Sequence, residues 1–220
     1  VSEETTYTFV ITPDRNLVAN FELLDYNVNV SVSPENAGSV TGEGTYTHGD
    51  NVTLNATPNV GYKFVGWTED GNVVSEESEY SFTITSDRNL VANFELLDYD
   101  VNVSVSPENA GSTTGAGTYT HGDESTVNAT PNAGYKFVSW TEDGNVVSEE
   151  NEYSFTITSD RNLVANFELL DYDVNVSVSP ENAGTATGAG NYTHGDNVTV
   201  NAAPNYGYKF VSWTEDGNVV

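Results

Sequence analysis

Apolar and polar residues alternate along most of the chain with a period of two. The stretch YNVNVSVS at 26–33 places Tyr or Val on one side and Asn or Ser on the other. The stretches NVTLNATP at 51–58, EYSFTIT at 79–85 and NLVANFEL at 89–96 repeat this pattern. A period of two is typical of a strand with one buried face. No stretch has a helical stripe of about ten or more residues, so we predict an all-β chain with little or no helix.

The alternating pattern belongs to a repeat of 73 residues. The stretch DYNVNVSVSPENAG begins at Asp25, and DYDVNVSVSPENAG begins at Asp98 and again at Asp171. Residues 25–97 and 98–170 differ at nine of 73 positions. We therefore predict the rear part of a repeat at 1–24, complete repeats at 25–97 and 98–170, and the front part of a repeat at 171–220.

Turn residues separate the predicted strands. EDGN at 69–72 contains Asp-Gly, a strong hairpin signal, so 64–67 and 72–75 are expected to be hairpin arms. The other turn motifs are PENAG at 34–38, THGD at 47–50, PNVG at 58–61 and SDRN at 86–89. We predict six or seven short strands in each repeat, packed as a small β-sandwich or β-grasp-like module. The junction FELLDYD contains neither Gly nor Pro, which favours a stiff connection and a tandem array in the form of an extended rod.

Two motifs in each repeat carry a resemblance to a known family. The stretch YTHGDNVTLNATPNVGYKFVGWTEDG, followed by YSFTITSDRNLVANF, resembles the divergent internalin-type B repeat, also called the Listeria-Bacteroides repeat. The Gly-Tyr-x-Phe-x-x-Trp element and the closing Leu-x-Ala-x-Phe are specific in combination, and the similarity covers every repeat. The resemblance implies a compact module of long bacterial or archaeal cell-surface proteins, hence an extracellular location, with no catalytic residues to carry over.

The charge balance excludes several classes of partner. The chain has 33 acidic residues against six Lys and Arg, a formal net charge of −27. Nucleic acids need Lys and Arg to displace their counterions, so we expect no nucleic-acid partner. Anionic lipid would repel the chain as well, and no apolar run is long enough for membrane insertion within these residues. Because Cys is absent, disulfides and thiolate metal sites are excluded.

The aromatic residues of the GYKFVxW motif have two interpretations. A Trp beside acids and Asn is typical of a carbohydrate-binding face. A Trp is also the largest side chain available to a small core without disulfides. We favour the core interpretation, and the predicted anchors are Trp67, Trp140, Trp213, Phe64, Phe137 and Phe210.

Each complete repeat has a single Lys in the same motif, Lys63 or Lys136. Such a Lys could condense with Asn93 or Asn166 to form an isopeptide crosslink. The favoured alternative is a Lys whose stem lies along an aromatic ring and whose charge stays in water.

Candidate metal and catalytic residues lie in turns. His48, His121 and His194 each lack a second His or a serine partner, so we predict neither a metal site nor a triad. The acids of EDGN and THGD could meet calcium, but nothing matches the twelve-residue calcium loop, and solvated turn acids are favoured. We therefore expect no enzyme activity and no cofactor.

Several Asn residues lie in glycosylation sequons. By the period-two alternation, the side chains of Asn29, Asn102 and Asn175 face solvent, so these three are candidate glycosylation sites.

The two partial repeats leave three arrangements open. In the first, the residues are part of a longer array of repeats. In the second, the rear part in one chain completes the front part in the next chain. In the third, the two parts close a ring within one chain. The favoured function is an extracellular spacer, stalk or filament whose partners are further copies of the repeat. The alternative is an adhesin repeat that binds a host glycan or host surface protein, and an enzyme comes third.

Overall fold

The computed structural model of the chain describes residues 3–220, and within that range every regular element is a β-strand. The predicted all-β class and the tandem repeats are confirmed. The chain divides into two compact units, Val1–Glu95 and Leu96–Val220. Within residues 3–220 the sheets stay open and do not close into barrels. Among the described residues, the structure has no helix that is long and apolar enough to cross a membrane.

The first complete repeat contains eight strands, where six or seven were predicted. They are β1 (Asp25–Ser33), β2 (Gly38–Thr41), β3 (Gly44–Thr47), β4 (Asn51–Pro58), β5 (Tyr62–Glu69), β6 (Asn72–Ser75), β7 (Glu79–Thr83) and β8 (Arg88–Leu96). A five-stranded sheet has the order β3-β1-β8-β5-β6, and a three-stranded sheet has the order β2-β4-β7. One core cluster draws residues from both sheets, so the repeat is a two-layer sandwich.

The first and last strands of the repeat are parallel neighbours. β1 pairs with β8 over six residue pairs, from Val28 beside Arg88 to Ser33 beside Asn93. β3 flanks β1 on the other side in antiparallel register. The strand that enters the repeat and the strand that leaves it therefore lie side by side in the centre of the larger sheet.

The core follows the period-two alternation of the sequence. In β4, Val52 and Leu54 are buried while the residues between them are exposed. In β8, Leu90, Ala92 and Phe94 are buried in the same way. Each buried aliphatic or aromatic side chain contributes about 1.5 to 3 kcal/mol relative to an exposed one, so β8 is a principal part of the core.

Glycine is required at two places in the first repeat, the β5–β6 turn and the start of β2. The predicted EDGN hairpin joins β5 to β6, with φ of 50° at Asp70 and 80° at Gly71. Two positive φ values are typical of the type I′ turn that suits a two-residue hairpin.

Gly38 begins β2 under the ring of Phe94, where an added Cβ would lie 2.5 Å from the ring. Any larger residue at 38 would therefore displace the aromatic core.

The second complete repeat has the same architecture. Its strands are β9 (Asp98–Ser106), β10 (Gly111–Thr114), β11 (Gly117–Thr120), β12 (Glu124–Pro131), β13 (Tyr135–Glu142), β14 (Asn145–Ser148), β15 (Glu152–Thr156) and β16 (Arg161–Leu169). The sheets have the orders β11-β9-β16-β13-β14 and β10-β12-β15. β9 and β16 are again parallel neighbours over six residue pairs.

The third, partial repeat has shorter strands. They are β17 (Asp171–Val174), β18 (Gly184–Thr187), β19 (Gly190–Thr193), β20 (Asn201–Pro204), β21 (Thr214–Glu215) and β22 (Asn218–Val219). They form only two-stranded sheets. The N-terminal segment, residues 3–24, contains no strand.

Candidate functional site

The predicted Trp anchors of the two complete repeats lie in the core. Trp67 in β5 and Trp140 in β13 are both 0% exposed. Phe64 and Phe137 pack against the same cores, with ring centroids 5.6 Å from Trp67 and 5.9 Å from Trp140. Neither Trp is available to a ligand at the surface of its repeat.

The same motif is less buried in the third repeat, where the other two predicted anchors lie. Phe210 is 48% exposed, and Trp213 is only partly buried. In the first repeat the ring of Phe94, in β8, packs 5.5 Å from Phe64 and covers it. Among residues 3–220, no segment takes the position of β8 against the third repeat, so Phe210 stays uncovered.

The absence of that strand leaves an open groove of about 970 Å³, which we call the third-repeat groove. Its walls come from residues 174–180, 183–186, 200, 202–204, 207–215 and 220. The apolar part of the lining includes Val176, Val178, Phe210 and Trp213. The groove lies where β8 or β16 fills the core of a complete repeat.

The groove keeps the local geometry of a complete repeat. The rings of Phe210 and Trp213 lie 5.6 Å apart at 57°, against 5.6 Å and 56° for Phe64 and Trp67. The two rings therefore have the same mutual arrangement in the open groove as in a closed core.

A partly buried ion pair is a feature that the sequence reasoning missed. The Arg88 guanidinium donates to both carboxylate oxygens of Glu69, with Nε at 2.7 and 2.9 Å, and lies 4.3 Å from the ring centroid of Phe82. Arg161, Glu142 and Phe155 repeat the arrangement. The hydrogen bond from Arg88 lowers the pKa of the Glu69 carboxyl, and the carboxylate raises the pKa of Arg88. The available signal was the recurrence of Glu in EDGN and Arg in SDRN in each complete repeat.

The Lys residues of the two complete repeats, Lys63 and Lys136, form exposed ion pairs with Glu. Lys63 lies 2.7 Å from Glu95, and Lys136 lies 2.6 Å from Glu168. Asn93 donates to the Gly66 carbonyl, at 3.0 Å. The geometry assigns Asn93 a role in holding β5 against β8, and the isopeptide crosslink stays a hypothesis from the sequence.

The candidate glycosylation sites are exposed, and Asn29 and Asn102 lie in strands whereas Asn175 follows the end of β17. Asn29 and Asn102 each donate from Nδ2 to an Asn of the neighbouring parallel strand, Asn89 at 3.0 Å and Asn162 at 3.2 Å. Asn175 is also exposed. A glycan on Asn29 or Asn102 would replace an amide hydrogen at a nitrogen that already serves a cross-strand bond.

The turn residues form no ligand cluster in the described part of the chain. His48, His121 and His194 lie against Tyr26, Tyr99 and Tyr172, with ring centroids 5.9 to 6.0 Å apart. Within residues 3–220, no group of three or more His, Asp or Glu side chains is placed to hold a metal ion.

Comparison with known proteins identifies the family. The family model for the divergent InlB B-repeat domain matches the chain three times, at 28–97, 101–170 and 174–220. Among solved structures, the Bacillus anthracis TIE protein is similar at 10% sequence identity and a TM-score of 0.36, over 83% of this chain and 43% of that chain. The chain therefore spans less than half of that protein's chain. No curated protein matches it in sequence.

The three matches cover most of the chain and fall on the two complete repeats and the partial third repeat. Each match includes the buried or groove-lining Trp of the GYKFVxW motif. The chain belongs to the divergent InlB B-repeat domain family.

Proposed function

We propose that this chain is a structural repeat region of an extracellular surface protein, which acts as a spacer, stalk or filament. The observation that carries the proposal is the parallel pairing of the first and last strands in each complete repeat. β1 enters the repeat at Asp25, and β8 leaves it at Leu96. Tension applied to the two ends would pull β1 and β8 in opposite directions along their common axis.

This geometry loads the hydrogen bonds of the pair together. Six residue pairs join β1 to β8, and six join β9 to β16. A force along the strands must shear all of these bonds at once, whereas a force across them would open the bonds one by one. A repeat built in this way suits a stalk that holds its length under load.

The exposed faces of the strands also favour a structural role over a binding role. In β1 the exposed residues are Asp, Asn and Ser, and in β4 they are Asn, Thr and the final Pro58. Tyr26, Tyr46, Tyr62 and Tyr80 are partly buried against the first core. The complete repeats thus present a polar, acidic surface in which aromatic side chains are largely covered, as a soluble spacer requires.

An adhesin repeat is the second candidate, and exposed aromatics of the third repeat favour it. Tyr206 and Tyr208 are exposed, beside the half-exposed Phe210. Rings on an open surface can stack on sugars or on a protein partner. A glycan array separates the two functions. Reproducible glycan binding that is lost in Tyr206→Ala would support the adhesin, and an array with no reproducible binding would support the spacer.

The spacer function itself is tested by adding length. One or two further copies of residues 98–170 are inserted after Leu170, and the largest dimension of each protein is measured by small-angle X-ray scattering. A spacer predicts a constant increment for each inserted repeat, of about 30 Å if the nine-residue strands run along the axis. A dimension that does not grow with the repeat number would contradict the proposal.

A further inference from the structure

The junction between the second and third repeats is one residue long. β16 ends at Leu169 and β17 begins at Asp171, so Leu170 alone lies between the two strands. A single residue has only two soft backbone torsions, φ and ψ. A junction of this length therefore has few ways to bend.

Hydrogen bonds fix both sides of Leu170. Its amide donates to the Gly134 carbonyl of the second repeat at 2.8 Å. Its carbonyl accepts from the His194 amide of the third repeat at 2.7 Å. The junction residue is therefore bound both to the PNAG turn that precedes β13, residues 131–134, and to the THGD turn that follows β19, residues 193–196.

The imidazole of His194 lies against the backbone of Gly134. The three heavy atoms nearest to a Cβ added at Gly134 are Cδ2, Nε2 and Cγ of this ring, and the added atom would overlap all three. A side chain of the third repeat thus occupies the space that the missing side chain of Gly134 leaves open in the second repeat.

The THGD turn is also fixed within its own repeat. The ring centroids of His194 and Tyr172 lie 6.0 Å apart. Thr193 donates from its hydroxyl to Asp171 and from its amide to Asp196, both at 3.0 Å. A turn that is ordered by its own repeat loses less conformational entropy when it packs against the preceding one.

A charged side chain spans the same junction. Lys136 lies 2.6 Å from Glu168 of its own repeat. The pKa of Lys136 is raised, chiefly by its hydrogen bond to Glu168 and to a lesser extent by the charge of Asp171, the first residue of β17. Because exposed ion pairs contribute little, the ring contact and the two backbone hydrogen bonds are the principal ties.

We propose that His194 and Gly134 form a knob-and-socket joint that holds the second and third repeats in one orientation. The knob is the imidazole of the THGD turn, and the socket is the bare backbone of the PNAG turn. The partner that fits the socket is therefore the THGD turn of a following repeat. This inference rests on the proposed structural function and adds the contact by which one repeat fixes the direction of the next.

The conformation of the PNAG turn is a separate reason for glycine at 134. Gly134 has φ of 84°, in the left-handed region that glycine adopts most readily. Gly144 has φ of 80°, and among the described residues no heavy atom lies within 4 Å of a Cβ added there. Alanine at 144 therefore adds only backbone strain, whereas alanine at 134 adds similar strain and also displaces the imidazole.

A distance measurement between two nitroxide labels on the full chain tests the joint. The native sequence has no Cys, so the double variant Ser112→Cys with Thr185→Cys introduces the only thiols for labelling. The two positions are equivalent in successive repeats, and both are exposed strand residues. Since the joint holds one orientation, we expect pulsed electron paramagnetic resonance to give a single narrow distribution of distances.

Two substitutions in the labelled chain disturb the joint from opposite sides. His194→Ala removes the knob and keeps the amide that binds Leu170. Gly134→Ala keeps the imidazole and fills the socket. We expect each substitution to cause loss of the single narrow peak, while circular dichroism shows that the strands are retained.

Each substitution has a matched control. Gly144→Ala adds a methyl group at nearly the same φ but meets open space, so the narrow peak should persist. His121→Ala makes the same change in the THGD turn of the second repeat, where the ring lies 6.0 Å from that of Tyr99. The distance between the two labels should again stay narrowly distributed.

Three results would overturn the proposal. One is a broad distribution in the labelled chain that keeps His194 and Gly134, and another is an unchanged narrow peak in His194→Ala. The third is equal broadening by Gly134→Ala and Gly144→Ala, which would show that backbone strain acts instead of the ring contact. The increment per inserted repeat tests the spacer function separately, because flexibly joined repeats also lengthen a chain.

Discussion

Ser125 occupies in the second repeat the buried core position that Val52 occupies in the first. Val52 is 0% exposed, and Ser125 is 2% exposed. Among the described residues, the hydroxyl of Ser125 has no hydrogen-bond partner. The two repeats therefore have the same fold but differ at this core position, which is apolar in the first repeat and polar in the second.

The first prediction is that Ser125→Val stabilises the second repeat. A buried polar group without a partner costs about 1 to 3 kcal/mol, and Val removes that cost while it fills the same space. The reverse change, Val52→Ser, should destabilise the first repeat by a similar amount. Urea unfolding, followed by Trp fluorescence, measures both changes in the free energy of unfolding, and equal signs for the two would contradict the explanation.

The second prediction concerns the indole nitrogen of the core Trp. Trp140 donates from Nε1 to the Asn151 carbonyl at 3.2 Å, and the Asn151 side chain donates to the Ala129 carbonyl at 3.2 Å. The first repeat has Ser78 at the position of Asn151, and Trp67 Nε1 has no partner among the described residues. Ser78→Asn should restore the tie and stabilise the first repeat by about 1 kcal/mol.

The control for this change is the reverse substitution. Asn151→Ser should lower the stability of the second repeat by about the same amount, measured as a shift in the urea midpoint. If both substitutions lower the urea midpoint, the hydrogen bond from the Trp indole to the backbone carbonyl of this residue is not the source of the stability difference.

The third prediction compares the same substitution in a closed and an open repeat. Trp140→Ala should cost about 3 to 5 kcal/mol, because it leaves a large cavity in a closed core. Trp213→Ala should cost less than half of that in the monomeric chain, since Trp213 lies in an open groove. Both losses are read from chemical denaturation at low protein concentration, and equal losses would contradict the description of the groove.

The fourth prediction is a pH dependence of the Arg88 and Glu69 pair. The pKa of the folded Glu69 carboxyl lies below its usual 4.5, chiefly through the hydrogen bond from Arg88. The pair therefore stabilises the fold above pH 4.5 and loses this contribution as the pH falls through the lowered pKa. Glu69→Gln should cost about 0.5 to 1 kcal/mol at pH 7 and progressively less in acid.

A matched control is Glu95→Gln, which removes an exposed partner of Lys63. Glu95→Gln should change the free energy of unfolding by much less than Glu69→Gln, both at pH 7 and in acid. The reason is that the side chains of Lys63 and Glu95 are each about half exposed to solvent. A pH profile that is the same for the two variants would show that the Arg88 pair contributes no more than a surface pair.

Local pattern predicted the parts of the fold that local chemistry decides. The alternation of β4 and β8 and the Asp70-Gly71 turn were visible because side-chain periodicity and turn type depend on adjacent residues. β2 and β3 were missed, since GSVT and GTYT are short and contain the small residues that are typical of loops. These strands exist because β4 and β1 provide edges with which they pair.

Contacts between residues far apart in the sequence could not be predicted from the alternation of apolar and polar residues. The parallel pairing of β1 with β8 joins residues that are 60 positions apart, and alternation alone does not choose a neighbour. The ion pair of Glu69 with Arg88 likewise depends on β5 lying beside β8 in the same sheet. The half-exposure of Phe210 could not be predicted from its motif, because the motif is the same in every repeat whereas burial of the Phe ring depends on a distant strand.

Single-molecule force measurement tests the central claim most directly, which is that each complete repeat resists tension through its parallel first and last strands. The full chain, held at both ends, should show two unfolding events of closely similar force. Each event should release about 250 Å, the contour of one 73-residue repeat, less its folded length. Gradual extension without discrete events, or release of both repeats at forces too small to resolve, would contradict the claim.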